Sequence, residues 1–283
     1  AGATRSITSD GNISVQSTTS GNIVIGALDA SAGSGSVTVR TGTGLITLDG
    51  DITTTGGSVF AGSTGNNVVL NGTIATKGGA VALVAGGDIT TTTNGKQIAL
   101  DSSNNAGSGG NILLAAGATF NTTALPGSVQ ITGGTAVGGI LDLQGAGNAD
   151  GISLVNTSST GGGGNGGNLT MLAFQGTGNN NGIAMDAPDP TATTGVWAYT
   201  GGNGAGVNGS IIEIAAVPGT TGRNIFSANP LFTNRSFVTA TNTEAAGGSG
   251  GGGNVTAASA LISLGPNVAY STTTGQLTGG SIG

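Results

Sequence analysis

The chain contains no cysteine and no histidine. Without thiolates there is neither a disulfide framework nor a cysteine-ligated metal centre. Without imidazole, the commonest general base, the Ser–His–Asp triad and histidine metal sites drop out together. Charge is scarce as well: 6 Lys and Arg stand against 12 Asp and Glu in 283 residues, a net charge of −6. The basic residues Arg5, Arg40, Lys77, Lys96, Arg223 and Arg235 are scattered singly. There is no basic stripe to displace counterions from a phosphate backbone, so nucleic acid is not an expected partner. No apolar run approaches the ~18 residues of a membrane-spanning helix, and membrane insertion is not expected. Aromatics make up 3% of the chain, too few for the girdles of an outer-membrane barrel. The chain begins at Ala1 with no leader-like stretch, as expected of a processed protein or an excised fragment.

Glycine is what the chain has in excess, at 59 positions. It shows no three-residue period, which excludes collagen. Ile, Val and Leu recur throughout, which a flexible Gly/Ser linker would not show. With so few charges, the polar surface must be built from Ser, Thr, Asn and Gly. Such a surface is nearly neutral and rich in hydroxyl and amide groups. It suits contact with glycans, with other proteins or with further copies of itself.

The apolar residues are periodic at two scales. Residues 45–60, LITLDGDITTTGGSVF, align without a gap on residues 67–82, NVVLNGTIATKGGAVA, at an offset of 22. Ile46 falls on Val68, Leu48 on Leu70, Ile52 on Ile74, and Gly56-Gly57 on Gly78-Gly79. Val37, Val59 and Val81 extend the register backwards. Within each landmark the spacing is i, i+2, as in Ile13 and Val15, Ile23 and Ile25, Ile98 and Leu100, and Ile112 and Leu114. Period two places such side chains on one face of a strand. β-branched residues and dense glycine both oppose helix. A 22-residue unit of three short strands cannot bury its apolar face alone, whereas stacked units bury one rung on the next. The expected fold is therefore all-β: a parallel β-solenoid of about 22 residues per rung, spanning residues 1–283 as one unit. About twelve rungs would make a rod on the order of 60 Å long. Gly and Asn before many strands (GNISV, GNIVI, GNILL, GNLTM) are expected to supply left-handed corner conformations.

The repeat loosens after residue 83. GGAVALVAGGDI at 78–89 recurs as GGNILLAAGATF at 109–120 with an offset of 31, which predicts a longer turn or projecting loop between them. Strand-like runs continue at 127–131, 151–155, 168–172, 209–214 and 253–264. Residues 186–237 depart furthest, with Pro188, Pro190, Pro218 and Pro230 and the aromatics Trp197, Tyr199, Phe226, Phe232 and Phe237. Proline cannot donate to a central ladder, so this region reads as an excursion within the solenoid. Its five aromatics are the candidate interaction surface. They either pack on the outer wall of the rod, form a subunit interface, or offer a platform for a sugar ring.

Chemistry finds little footing. Carboxylate catalysis of glycoside cleavage needs two acids about 5–9.5 Å apart across a cleft. Asp49 and Asp51 flank Gly50, but Asn71 and Thr73 take their places one repeat later, which marks them as interchangeable corner residues. Asp186 and Asp189 bracket Pro188 beside the irregular region. GAGNADGIS at 145–153 offers a single Asp150 in a Gly-rich turn, a poor calcium cage. No catalytic residue, metal site or cofactor is expected. Eight Asn-x-Ser/Thr sequons, at Asn12, Asn71, Asn121, Asn156, Asn168, Asn208, Asn234 and Asn254, matter only where the source glycosylates.

The GN-φ-x-φ strands, the Gly-Gly corners and phrases such as GGDITTTT over most of residues 10–172 resemble the repeats of filamentous-haemagglutinin-like proteins. These are large β-helical adhesins exported by bacteria. The resemblance implies a right-handed β-helix, an extracellular or cell-surface location, and adhesive or scaffold work. The expected partners are further copies in a head-to-tail homopolymer, then glycans or a neighbouring cell surface. The competing reading is a polysaccharide-binding or polysaccharide-degrading β-helix protein, since pectin lyases share the parallel β-helix. Ice binding through Thr runs at 53–55 and 90–93 is weaker, because the runs do not recur on one face at every rung.

Overall fold

The structure, a computed structural model, describes residues 6–92, 97–121, 129–142, 151–157, 159, 166–167 and 169–174, and the backbone of the strands that follow. The first rung is β1 (Ile7–Thr8), β2 (Ile13–Ser17) and β3 (Ile23–Ile25). The second is β4 (Leu28–Ala30), β5 (Val37–Thr41) and β6 (Ile46–Leu48), and the third is β7 (Ile52–Thr54), β8 (Val59–Ser63) and β9 (Val68–Leu70). The fourth is β10 (Ile74–Ala75), β11 (Val81–Ala85) and β12 (Ile89–Thr90). The fifth, β13 (Gln97–Asp101) and β14 (Ile112–Ala116), is interrupted by a hairpin of β15 (Ala118–Phe120) and β16 (Ile131–Gly134) before β17 (Ile140–Asp142) completes it. Then come β18 (Gly151–Asn156), β19 (Leu169–Ala173), β20 (Gly182–Ala184) and β21 (Val196–Tyr199). The last are β22 (Ser210–Ala216), β23 (Asn224–Ser227), β24 (Ser236–Asn242), β25 (Val255–Ser259) and β26 (Leu277–Gly279).

The rung strands from β1 to β14 pair in parallel, each with its equivalent one rung on, and so found three long sheets. Sheet 1 holds β1, β4, β7, β10, β13, β18 and β21, with β22 and β24 added antiparallel. Sheet 2 is parallel throughout: β2, β5, β8, β11, β14, β19, β25, β26. Sheet 3 holds β3, β6, β9, β12, β17 and β20, then β23 antiparallel. The chain is a parallel β-solenoid, as its repeat implies. Among the described residues the longest all-parallel ladder holds eight strands and not about twelve, because insertions take up chain that regular rungs would have used.

Alternation fills the interior. Ile52, Ile74 and Leu100 stack through register pairs in sheet 1, Val59, Val81 and Ile112 in sheet 2, and Ile46, Val68 and Ile89 in sheet 3. All are buried in one continuous core. Burying a side chain of this size contributes about 1.5–3 kcal/mol, so each rung adds several such terms to an otherwise polar chain.

The Asn and Asp residues that precede strands have a role that differs from the expected one. Asn12 Oδ1 accepts Ser36 N–H at 2.8 Å, Asn22 Oδ1 accepts Leu45 N–H at 2.9 Å, and Asn67 Oδ1 accepts Asp88 N–H at 2.8 Å. Asp51 Oδ1 accepts Thr73 N–H and Asp88 Oδ1 accepts Ile140 N–H, each at 2.9 Å. In the first four cases a pre-strand side chain satisfies the pre-strand amide of the following rung, and in the last it satisfies the first amide of β17. Positive φ among the described residues falls instead on Gly56, Lys77, Gly78, Gly117, Gly133 and Gly138. The Gly–Asn signature thus reflects an inter-rung ladder and close packing, not left-handed backbone. The packing is close along the column Gly35, Gly57, Gly79, Gly110 and Gly167, where a Cβ would overlap the carbonyl of the glycine one rung before.

A buried hydroxyl closes the same corner. Thr54 donates to Gly57 O at 2.5 Å, Thr76 to Gly79 O at 2.5 Å, Ser102 to Gly110 O at 2.6 Å and Thr157 to Gly167 O at 2.6 Å. The closure is unchanged while the chain between its partners lengthens from 55–56 to 103–109 to 158–166. This locates the extra length after residue 83. Within 90–110, residues 97–101 remain a rung strand, and much of the insertion sits in the corner 102–111.

Candidate functional site

Each sheet has an inner and an outer face, and the outer face of sheet 2 changes character along the stack. Its outward residues are Ser14 and Gln16 on β2, Thr38 and Arg40 on β5, Phe60 and Gly62 on β8, Ala82 and Val84 on β11, and Leu113 and Ala115 on β14. The first two rungs are polar and at least partly exposed. From Phe60 onward the face is apolar and carries a second core: Phe60, Ala82, Val84, Ala115, Ala118 and Phe120, with Leu113, Val129, Ile131, Leu172 and Phe174 packed against it.

The cover is the β15–β16 hairpin, which pairs antiparallel and lies outside the three sheets. The run at 127–131, expected as a rung strand, is therefore corrected: its described end, Val129 and Ile131, packs on the outside of the rod. Phe120 meets Phe60 edge to face with ring centroids 6.2 Å apart, a favoured geometry for aromatic pairs. Gly62 accommodates them, since a Cβ there would collide with the Phe60 ring and press on Phe120. Gly117 and Gly138, both at positive φ, bring the ends of the hairpin together at its base.

Where the cover stops, a groove of about 330 Å³ opens on the first rungs, lined by Gln16, Ser17, Thr18, Arg40, Thr41, Gly42 and Thr64. Arg40 Nη2 donates to Gln16 Oε1 at 2.7 Å, and Gln16 Nε2 donates to Ser14 Oγ at 2.6 Å. The guanidinium is thereby held across two rungs. Thr41 and Thr64 are committed inward, donating to Gly21 O at 3.0 Å and Gly42 O at 2.7 Å. The lining combines a guanidinium, a carboxamide and hydroxyls. Sequence reasoning passed over these residues, although aligning ISVQS at 13–17 with VTVRT at 37–41 puts Gln16 opposite Arg40.

The acidic candidates that are described, Asp49 and Asp51, bond from one rung to the next. Asp49 Oδ1 accepts from Asn71 Nδ2 at 2.9 Å, and Asp51 serves the pre-strand ladder. Asp29 is held below the usual carboxylate range by hydrogen bonds from the Ser31 side chain and backbone. Among the described residues no group of three or more His, Cys, Asp or Glu could hold a metal ion. Asp186, Asp189 and Asp150 lie outside the described residues.

Of the expected aromatic surface, Trp197 and Tyr199 lie on β21, where Trp197 pairs in parallel with Leu154 and Tyr199 with Asn156 of β18. Phe226 lies on β23 opposite Ile183, and Phe237 on β24 opposite Ala215. Phe232 lies outside the described residues. The backbone therefore puts Trp197, Tyr199 and Phe237 in sheet 1 and Phe226 in sheet 3.

No protein-family model matches the chain, and neither a curated protein nor a solved structure matches it.

Proposed function

We propose that this chain is an extracellular structural and adhesive rod whose copies associate end to end, acting through the surface it presents and not through catalysis. One observation carries the reading: each rung is a template for the next. Main-chain ladders in three sheets and the pre-strand Asn and Asp side chains repeat the same bonds at separations of 21 to 24 residues. A rung contributed by another copy meets the same pattern of donors and acceptors, and head-to-tail contacts of this kind extend into filaments. The resemblance of the strand and corner phrases to exported adhesin repeats supports the extracellular placement. The hydroxyl- and amide-rich surface of the first rungs supports adhesion.

Sedimentation velocity and negative-stain electron microscopy over a rising concentration series test the proposal. Filaments one rod wide, growing with concentration, are the expected result. Monodisperse monomers at the highest concentration would refute end-to-end assembly. A polysaccharide-binding role is favoured by one observation, the hydroxyl-lined groove around Arg40.

A further inference from the structure

We infer that the β15–β16 hairpin is a strap that couples four successive rungs into one cooperative unit and leaves the first two rungs to open on their own. The inference rests on the packing of the hairpin and is independent of the proposed function. In a plain solenoid each rung touches only its neighbours, so opening can travel from an end one rung at a time. The hairpin breaks that rule. It leaves the chain after β14 and turns back along the outside of the rod. Phe120 reaches Phe60 on β8, two rungs before, with ring centroids 6.2 Å apart. Ala82 and Val84 of β11 and Ala115 of β14 lie in the same buried cluster. Leu172 of β19, one rung further on, packs against it together with Phe174.

Hydrogen bonds fasten the base of the strap to rungs on either side. Thr135 Oγ1 donates to Gly86 O at 2.8 Å and Gly117 N–H donates to Gly87 O at 2.7 Å, both just after β11. Gly139 N–H donates to Phe174 O at 3.0 Å, just after β19. The strap therefore ties β8, β11, β14 and β19 together across their outer face. Towards the first rungs the cluster stops at Phe60: its partners on β5, Thr38 and Arg40, are outside it. Opening β8 means giving up the Phe60–Phe120 contact and baring the apolar side of the strap. Opening β2 or β5 loses no such contact. Local openings follow the buried contacts that they break, so the two stretches should open separately.

The test is native-state hydrogen exchange on the 283-residue chain, below the concentration at which it associates, over a series of sub-denaturing urea concentrations. In the unaltered chain the amides of β8, β11, β14 and β19 should share one urea dependence, and those of β2 and β5 should exchange through a smaller opening. Phe120→Ala should split the group. Exchange in β8 should rise by about tenfold or more and part from β14, while β2 and β5 change by less than about twofold. Val129→Ala is a smaller loss on the strap and should speed β8 by about threefold. It carries the test if Phe120→Ala does not fold by circular dichroism. Leu83→Ala, which truncates a buried inward residue of β11, is the control: it should speed the four strands together without splitting them. The inference is overturned if β8 exchanges with β2 and β5 in the unaltered chain, or if all six strands share one dependence. It is overturned equally if the four strands stay together in the folded strap variants, or if Leu83→Ala splits them in the same way. None of these outcomes alters the sedimentation result, so failure of the strap and failure of the filament are read separately.

Discussion

Sheet 2 carries two outer faces on one backbone. Over β2 and β5 the outward residues are Ser14, Gln16, Thr38 and Arg40, and a groove lies open beside them. Over β8, β11 and β14 they are Phe60, Gly62, Ala82, Val84, Leu113 and Ala115, and a hairpin lies across them. The inward residues do not change character: Val37, Val59, Val81 and Ile112 occupy one column through both stretches. The stack therefore fixes what points in and leaves the outside free to specialise rung by rung. A polar outside becomes a surface that can be used. An apolar outside of this size needs a cover, and the chain supplies one from its own insertion.

The largest expected effect is common to both stretches. Gly57→Ala should cost more than about 3 kcal/mol, because its Cβ would overlap the Gly35 carbonyl, which belongs to the ladder and cannot move alone. Gly56→Ala next door has open space and only the positive φ to contend with, so it should cost about 1–2 kcal/mol. Urea denaturation of the two variants checks the difference. Equal costs would mean that the glycine column does not set the rung spacing.

The second effect separates the stretches. Phe120→Ala removes the ring that packs on Phe60 and should cost about 3 kcal/mol. Hydrogen exchange should speed up at residues 118–120 and 131–134 while β2 and β5 stay protected. Thr38→Ala, the outward counterpart of Phe60 on the bare stretch, should stay within about 0.5 kcal/mol. A third change sharpens the rule for the inside. Thr91 follows Leu48 and Leu70 in the register of sheet 3, is buried, and its hydroxyl has no hydrogen-bond partner. Thr91→Val should stabilise the chain by about 1 kcal/mol, read as a raised urea midpoint. The smallest effect is electrostatic. Ser31→Ala should raise the Asp29 pKa toward the ordinary carboxylate value, followed by NMR titration, since the Ser31 hydrogen bonds hold it down. A lowered folded pKa means that Asp29 adds stability above the ordinary carboxylate range and loses it as pH falls through the lowered value. That acid dependence should shrink in the variant.

The stack itself could be read from the sequence. The 22-residue offset of 45–60 and 67–82 appears as the pairs Ile46↔Val68, Ile52↔Ile74 and Val59↔Val81. Asp49 and Asp51 behave as corner residues because Asn71 and Thr73 are indeed their neighbours one rung on. The hairpin was hidden because period two is the same in a parallel rung and an antiparallel pair. Alternation near Phe120 and Ile131 cannot say which partner will be found. The role of Asn12 and Asn22 was misread for a related reason. Residue preference is local, and their partners lie 24 and 23 residues away. The groove has no motif at all, since Gln16 and Arg40 become neighbours only once the register is known.

The most direct test of the account is a distance along sheet 2. The chain has no cysteine, so Ser14→Cys and Thr170→Cys place two spin labels without competition. The strand order β2, β5, β8, β11, β14, β19 puts five inter-strand steps between them. At about 4.8 Å per step, pulsed electron spin resonance should return one narrow distribution centred near 24 Å. A distribution one step longer would put the 131–134 segment back into the ladder, and a broad one would contradict the solenoid.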